Sequence, residues 1–209
     1  MTRSFERELK SACEAIIADA RGGRATSAGA AWLLENYWFL RMQVREARES
    51  MPRSYFRRLP RDEKGGEPRI ERAAAQLIAQ GPEHLDEETL RRFFENWQEH
   101  TVLTLAELWA IRPMLKSVLL QRLAAVVAEG RLESGDAESV VRSVIGGLRD
   151  LDDVTWPELV ESLSHLDDTL RNDPANAYAQ MDFETRDRYR REIEEFARHS
   201  SASENEIAA

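Results

Sequence analysis

Acidic pairs are the first residues whose spacing could do chemistry. Asp150-Leu151-Asp152-Asp153 has the D-x-D form with which many sugar-nucleotide transferases hold a divalent cation between two carboxylates. Here the pair follows a helical pattern instead of ending an apolar strand, and a solvated acidic loop is the preferred reading. Asp167-Asp168 falls on the polar side of a helix, near its C-terminal end, and is assigned no chemistry. His84, His100, His165 and His199 are scattered, none stands in an H-E-x-x-H spacing, and the lone Cys13 removes any cysteine-rich zinc set, so no metal site and no cofactor are expected. Gly22-Gly23, Gly65-Gly66 and Gly146-Gly147 lack the phosphate-loop spacing and a preceding strand, and no G-x-S-x-G elbow occurs.

Arginines and aromatics are more suggestive. From Arg41 to Arg61 seven arginines face two glutamates, with Tyr55 and Phe56 among them. Guanidinium and ring together can hold phosphate and stack on a base. Across the 209 residues the net charge is −9, which opposes attraction to a polyanion, so nucleic acid is not an expected partner. The preferred reading is an arginine-rich helix face paired with acidic neighbours. Trp32, Tyr37, Trp38 and Phe39 could line a platform for a sugar ring, although aromatics at helical spacing more often form core.

Helices must position these groups. Phe5, Leu9, Ala12, Ile16 and Ala20 keep helical spacing up to Gly22-Gly23. After Ser27, the run Leu33, Tyr37, Leu40, Val44, Ala47 and Met51 predicts one long amphipathic helix ending before Pro52. Residues 52–68, with three prolines and Gly65-Gly66, read as an irregular connection. Ile70 to Ile78 form a short helix closed by Gly81. Asp86 caps the next, Thr104 and Glu107 make a capping box for another, and Pro113 should bend or split that one. Asp136 opens a helix in which Gly146-Gly147 either weakens the structure or admits a close neighbour. A second capping box at Thr155 starts a stripe running from Leu159 through Leu163 and Leu166 to Leu170. Asp182 caps the last helix, with an Asp187 to Arg191 ion pair one turn apart.

No segment has strand periodicity. The expectation is therefore all-α: an irregular bundle of seven to nine helices in one domain over residues 1–200, with a possible sub-boundary at 52–68 and a frayed tail at 201–209. No run reaches the ~20 apolar residues of a membrane span. With one cysteine and no apolar leader, a cytoplasmic chain is expected.

Three blocks carry a resemblance: AAWLLENYWFLRMQVREARESMPRSYFRRLP (30–60), LTLAELWAIRPMLKSVLLQRL (103–123) and DPANAYAQMDFETRDRYRREIE (173–194). Together they resemble the N-terminal region of cyclic β-1,2-glucan synthases, and YAQMDFETRDRYRR is the most specific of the motifs. The resemblance implies a helical stretch ahead of the transferase module of a large inner-membrane enzyme that builds β-1,2-glucan from UDP-glucose. It differs around Arg61 to Pro68 and lacks the transferase, membrane and phosphorylase-like modules. It thus implies a noncatalytic helical domain that packs on a transferase module or contacts glucan. Trp32, Tyr37, Arg41, Tyr55, Arg57, Trp109, Tyr178, Arg186 and Tyr189 are the candidate contacts. The alternatives are a small glycan-active enzyme using a carboxylate pair, or an RNA- or protein-binding adaptor using the Arg41 to Arg61 face.

Overall fold

The structure is a computed structural model describing residues 3–61, 66–130, 132 and 135–209. Among these residues it is all α, with twelve α-helices and one 3-10 turn; the only β-type pairing is an isolated bridge between Arg61 and Pro68. That is more helices than the seven to nine expected, and two of the extra breaks have identifiable causes.

The first lies at Asn36, which divides the expected long helix into α2 (Ala28–Glu35) and α3 (Tyr37–Ser50). Asn36 is buried, its Nδ2 donates to the Trp32 carbonyl at 2.9 Å, and its Oδ1 accepts from Arg149 Nη2 at 2.8 Å. A short amide side chain bonded to its own backbone competes with the regular ladder. The second lies at Ser164, between α9 (Trp156–Leu163) and α10 (His165–Arg171). Its backbone is extended and its Oγ accepts from the Asp167 amide at 3.1 Å, so Ser164-His165-Leu166-Asp167 is a helix start. At Thr155, by contrast, no side-chain cap forms, and Pro157 occupies the first turn instead.

Of the other expectations, most helix ends hold and some segments differ. α1 (Arg3–Arg21) buries Phe5, Leu9 and Cys13. α5 (Arg69–Gln80) ends on Gly81, whose φ of 65° is the left-handed conformation that favours glycine. Asp86 accepts from the Thr89 amide at the start of α6 (Glu87–Gln98). Thr104 and Glu107 form a reciprocal capping box for α7 (Leu105–Ala128). α7 runs through Pro113 without being split, and burial of the ring offsets the missing amide donor. α4 (Arg53–Arg58) occupies part of the stretch read as irregular; Gly65 of that stretch lies outside the described residues. α11 (Phe183–Arg198) follows its Asp182 cap, and Asp187 pairs with Arg191 at 2.7 Å. After His199, where fraying was expected, α12 (Glu204–Ala208) forms with a capping box between Ser203 and Glu206.

The chain divides into two compact units. Residues 1–85 and 112–153 form the first, so the division falls inside α7 just before Pro113. Leu9, Leu33, Leu40, Ile70, Leu77, Leu120, Leu123, Val141, Ile145 and Leu148 are fully buried there. Each contributes roughly 1.5–3 kcal/mol relative to an exposed side chain. α2 lies against α8 (Gly135–Asp153), closely enough that a Cβ on Gly29 would sit 3.2 Å from backbone atoms of Leu132 and Glu138. Ser27 Oγ also donates to the Leu132 carbonyl at 2.7 Å. At Gly147 the close neighbours are the Leu85 and Leu119 side chains, whereas Gly146 faces open space.

Residues 86–111 and 154–209 form the second unit. α6 packs on α9, and α12 packs on α10 and α11. Leu90, Phe94, Leu105, Leu108, Leu159 and Leu163 make its core. Gln98, almost fully buried, ties the unit together by donating to the Leu163 carbonyl at 2.9 Å and accepting from the Leu103 amide at 3.0 Å.

Candidate functional site

The start of α11, in the motif YAQMDFETRDRYRR, builds a buried ionic cluster. Arg190 is wholly buried, and its Nη1 reaches Glu161 at 2.8 Å, Asp167 at 2.7 Å and the Tyr178 hydroxyl at 3.2 Å. Tyr178, in the 3-10 turn Tyr178–Gln180, donates to Asp167 at 2.7 Å. Arg186 forks onto both Glu161 oxygens at 2.9 Å, and Arg171 bonds Asp167. Arg190 Nη2 lies 3.8 Å from Asp187, and its guanidinium carbon lies 5.4 Å from the centroid of Phe183. Burial alone would raise the Glu161 carboxyl, but hydrogen bonds from Arg186 and Arg190 outweigh it and hold the group below its ordinary range. Burial and the bond to Asp167 push the Tyr178 hydroxyl above its ordinary value of 10. Asp167, expected on a polar helix side, is buried because the break at Ser164 turns it toward Arg190.

A second cluster lies in the first unit. Lys116, only 1% exposed, holds Asp152 at 2.6 Å and Glu46 at 2.8 Å. Arg112 reaches both carboxylates at 3.0 Å, and Gln43 donates to Asp152 at 2.7 Å. Burial opposes ionisation of Asp152, yet the bonds from Lys116, Arg112 and Gln43 lower its carboxyl below the ordinary 3.8. Asp150 accepts from the Leu85 amide at 2.9 Å and faces His84 at 3.5 Å. The D-x-D residues therefore occupy the last turn of α8, not a solvated loop, and Asp152 is committed to cations of the same chain. No group of three or more His, Cys, Asp or Glu suited to a metal ion is found among the described residues.

The surface is more open to a ligand along α2, α3 and α8. Arg142 lies 5.0 Å from the Trp32 ring, Arg149 lies 5.6 Å from Phe39, and Arg41 lies 5.2 Å from Trp38 and 5.9 Å from Tyr37. Tyr37 and Trp38 meet edge to face. Trp38 is 71% exposed and Met42 64%. Guanidinium groups over ring faces hold such aromatics in place at the surface. The four aromatics were read mainly as core; Trp38 is instead exposed, and the other three are half-buried.

The nine candidate contacts divide between the units. Trp32, Tyr37 and Arg41 belong to the aromatic stripe, while Tyr55, with Arg58 over its ring, and Arg57 lie on α4. Tyr178 and Arg186 belong to the Arg190 cluster. Tyr189 is half exposed on α11, and the half-buried Trp109 has an indole nitrogen that is buried without a hydrogen-bond partner. Sequence reasoning missed Glu161 and Arg190 on one side and Lys116 on the other, and read Asp167 as a polar helix residue, Asp152 as part of an acidic loop and Glu46 as a neighbour on an arginine-rich face. The Ser-x-x-Asp pattern at Ser164 was the available signal for Asp167; nothing local marks the others, whose partners come from distant helices.

The described residues thus define an all-α protein of two compact units, each with an internal ion cluster, and the first carries an aromatic and arginine surface. No helix among them is long and apolar enough to cross a membrane. No protein-family model matches the chain. It is 25% identical, over an alignment of 291 residues, to the cyclic beta-(1,2)-glucan synthase NdvB of Rhizobium meliloti (strain 1021). The match takes in 98% of this chain and 10% of that protein, so the chain is distantly homologous to a small part of the synthase.

Proposed function

We propose that this chain is a noncatalytic helical domain, equivalent to the N-terminal part of a cyclic β-1,2-glucan synthase, that supports glucan synthesis by contacting the glucan. The observation that carries this reading is the near-complete coverage of the chain by similarity to a protein named for β-1,2-glucan synthesis. The aromatic stripe supports it physically. Trp38 and Trp32 offer ring faces to the apolar face of a glucose unit, and Arg41 and Arg142 are fixed donors for its hydroxyls.

The carboxylates of the two ion clusters are not arranged for acid–base catalysis. Glu161, Asp167 and Asp152 are each bonded to cations of the chain, and a general acid needs a raised carboxyl while Glu161 and Asp152 are lowered. Packing against a transferase module is compatible with glucan contact and uses the same homology. Calorimetric titration with linear β-1,2-glucooligosaccharide tests the reading: saturable binding is expected, weakened about tenfold or more in Trp38→Ala. Absence of binding at millimolar saccharide would remove the glucan contact.

A further inference from the structure

A cleft of about 790 Å³ opens in the first unit between the end of α3, α4, α5 and the second half of α7. Ala47, Met51, Phe56, Pro113 and Met114 give its lining an apolar part, beside the polar Ser117 and Gln121. Its volume is that of a small-molecule site. Arg48, Arg53 and Arg57 supply the charge. Arg48 has a partner, Glu6 at 3.7 Å. Arg53 and Arg57 have no carboxylate partner among the described residues, unlike Arg45, which pairs with Glu49 at 2.8 Å. They stand four residues apart on α4, so both project from one side of that helix, roughly 5–6 Å apart at Cβ. Two guanidinium groups with no carboxylate partner among the described residues, on one side of a cleft in a protein of net charge −9, form a local reversal of sign.

The geometry points to a binding site for a small organic phosphate, with the phosphate held by Arg53 and Arg57 and a flat apolar body lying on Phe56 and Met114. Guanidinium matches phosphate bidentately, and two of them four residues apart can share one phosphate group. The Arg61 guanidinium carbon lies 5.4 Å from the Phe56 ring centroid. The cleft's one carboxylate, Glu71, has its carboxyl raised above the ordinary value by burial and by nearby Glu67. A single-stranded nucleic acid shares phosphate and flat rings. The overall negative charge and the limited size of the cleft favour the small ligand instead.

Phenyl phosphate, inorganic phosphate, phenol and polyuridine are the probes, titrated at low and at moderate salt. Phenyl phosphate should bind at least about tenfold more tightly than inorganic phosphate or phenol. The double variant Arg53→Gln/Arg57→Gln should lose about tenfold or more, and Phe56→Ala should abolish the preference for phenyl phosphate over inorganic phosphate. Both arginines are exposed, so circular dichroism of the double variant should match the parent. Equal binding of inorganic phosphate, no saturable binding, tighter binding of polyuridine, or an unchanged affinity in the double variant would each overturn the assignment.

Discussion

Replacing Arg190 with methionine is the sharpest test of how the second unit is held together. Arg190 is fully buried, while Asp167 and Glu161 keep only 2% and 14% of their side-chain surface exposed. Methionine fills most of the arginine's volume, so the loss is chiefly electrostatic. Removing one partner of a buried ion pair costs about 3–5 kcal/mol, because the charges left behind remain out of water. Here Glu161 keeps Arg186, and Asp167 keeps Arg171 and the Tyr178 hydroxyl, which places the expectation near the lower end, about 3 kcal/mol. Urea unfolding followed by tryptophan fluorescence, with Trp97, Trp109 and Trp156 reporting on this unit, measures it. The triple variant Arg190→Met/Glu161→Gln/Asp167→Asn removes the stranded carboxylates but also takes the partners of Arg186 and Arg171, so it should recover only part of the loss. A loss below about 1 kcal/mol in the single variant would refute the reasoning.

Other expectations follow from single contacts. Lys116→Met should destabilise the first unit by less, about 1 kcal/mol, because Asp152 and Glu46 are about a third exposed and both keep Arg112, again by urea unfolding. Because the folded Asp152 carboxyl lies below 3.8, its contribution is present above that pH and lost as pH falls further, and Asp152→Asn should flatten this acid limb. Glu204 accepts from the Leu105 amide at 2.9 Å, but burial pushes its carboxyl up to about 7 from 4.5. Its contribution is therefore fully present below about pH 4.5 and lost as pH rises through about 7; urea unfolding of the second unit should follow that course, and Glu204→Gln should remove the dependence. Gly146→Ala, in open space, should stabilise by about 0.5–1 kcal/mol through helix propensity. Gly29→Ala should destabilise by about 1–3 kcal/mol despite the same propensity gain, since its Cβ meets backbone; thermal unfolding separates the two.

Where local chemistry decides structure, the sequence was readable. Gly81, Asp86, Thr104 with Glu107, and Asp182 each end or start a helix at the place their side-chain or backbone conformation demands. Asn36 was harder to read, because its effect depends on Arg149 arriving from α8, 113 positions away in the chain. The ion clusters were hidden for the same reason: Arg190 meets Glu161 from 29 residues away, and Lys116 meets Glu46 from 70. Asp150-Leu151-Asp152-Asp153 therefore looked like a solvated loop, since Lys116 and Arg112, the cations on Asp152, lie outside any local window. The aromatic stripe was legible as residues but not as surface. Trp38 falls just off the buried line of Leu33, Leu40 and Val44, and only the packed helix shows which way it faces.

The indole resonances offer the most direct measurement of glucan contact. Five tryptophans give five N–H signals: Trp32 and Trp38 in the first unit, and Trp97, Trp109 and Trp156 in the second. Addition of linear β-1,2-glucooligosaccharide to the nitrogen-15 labelled chain should shift the Trp38 and Trp32 signals in a saturable way and leave the other three in place. Five unmoved signals, or movement confined to Trp97, Trp109 and Trp156, would contradict a glucan-contacting role for the aromatic stripe.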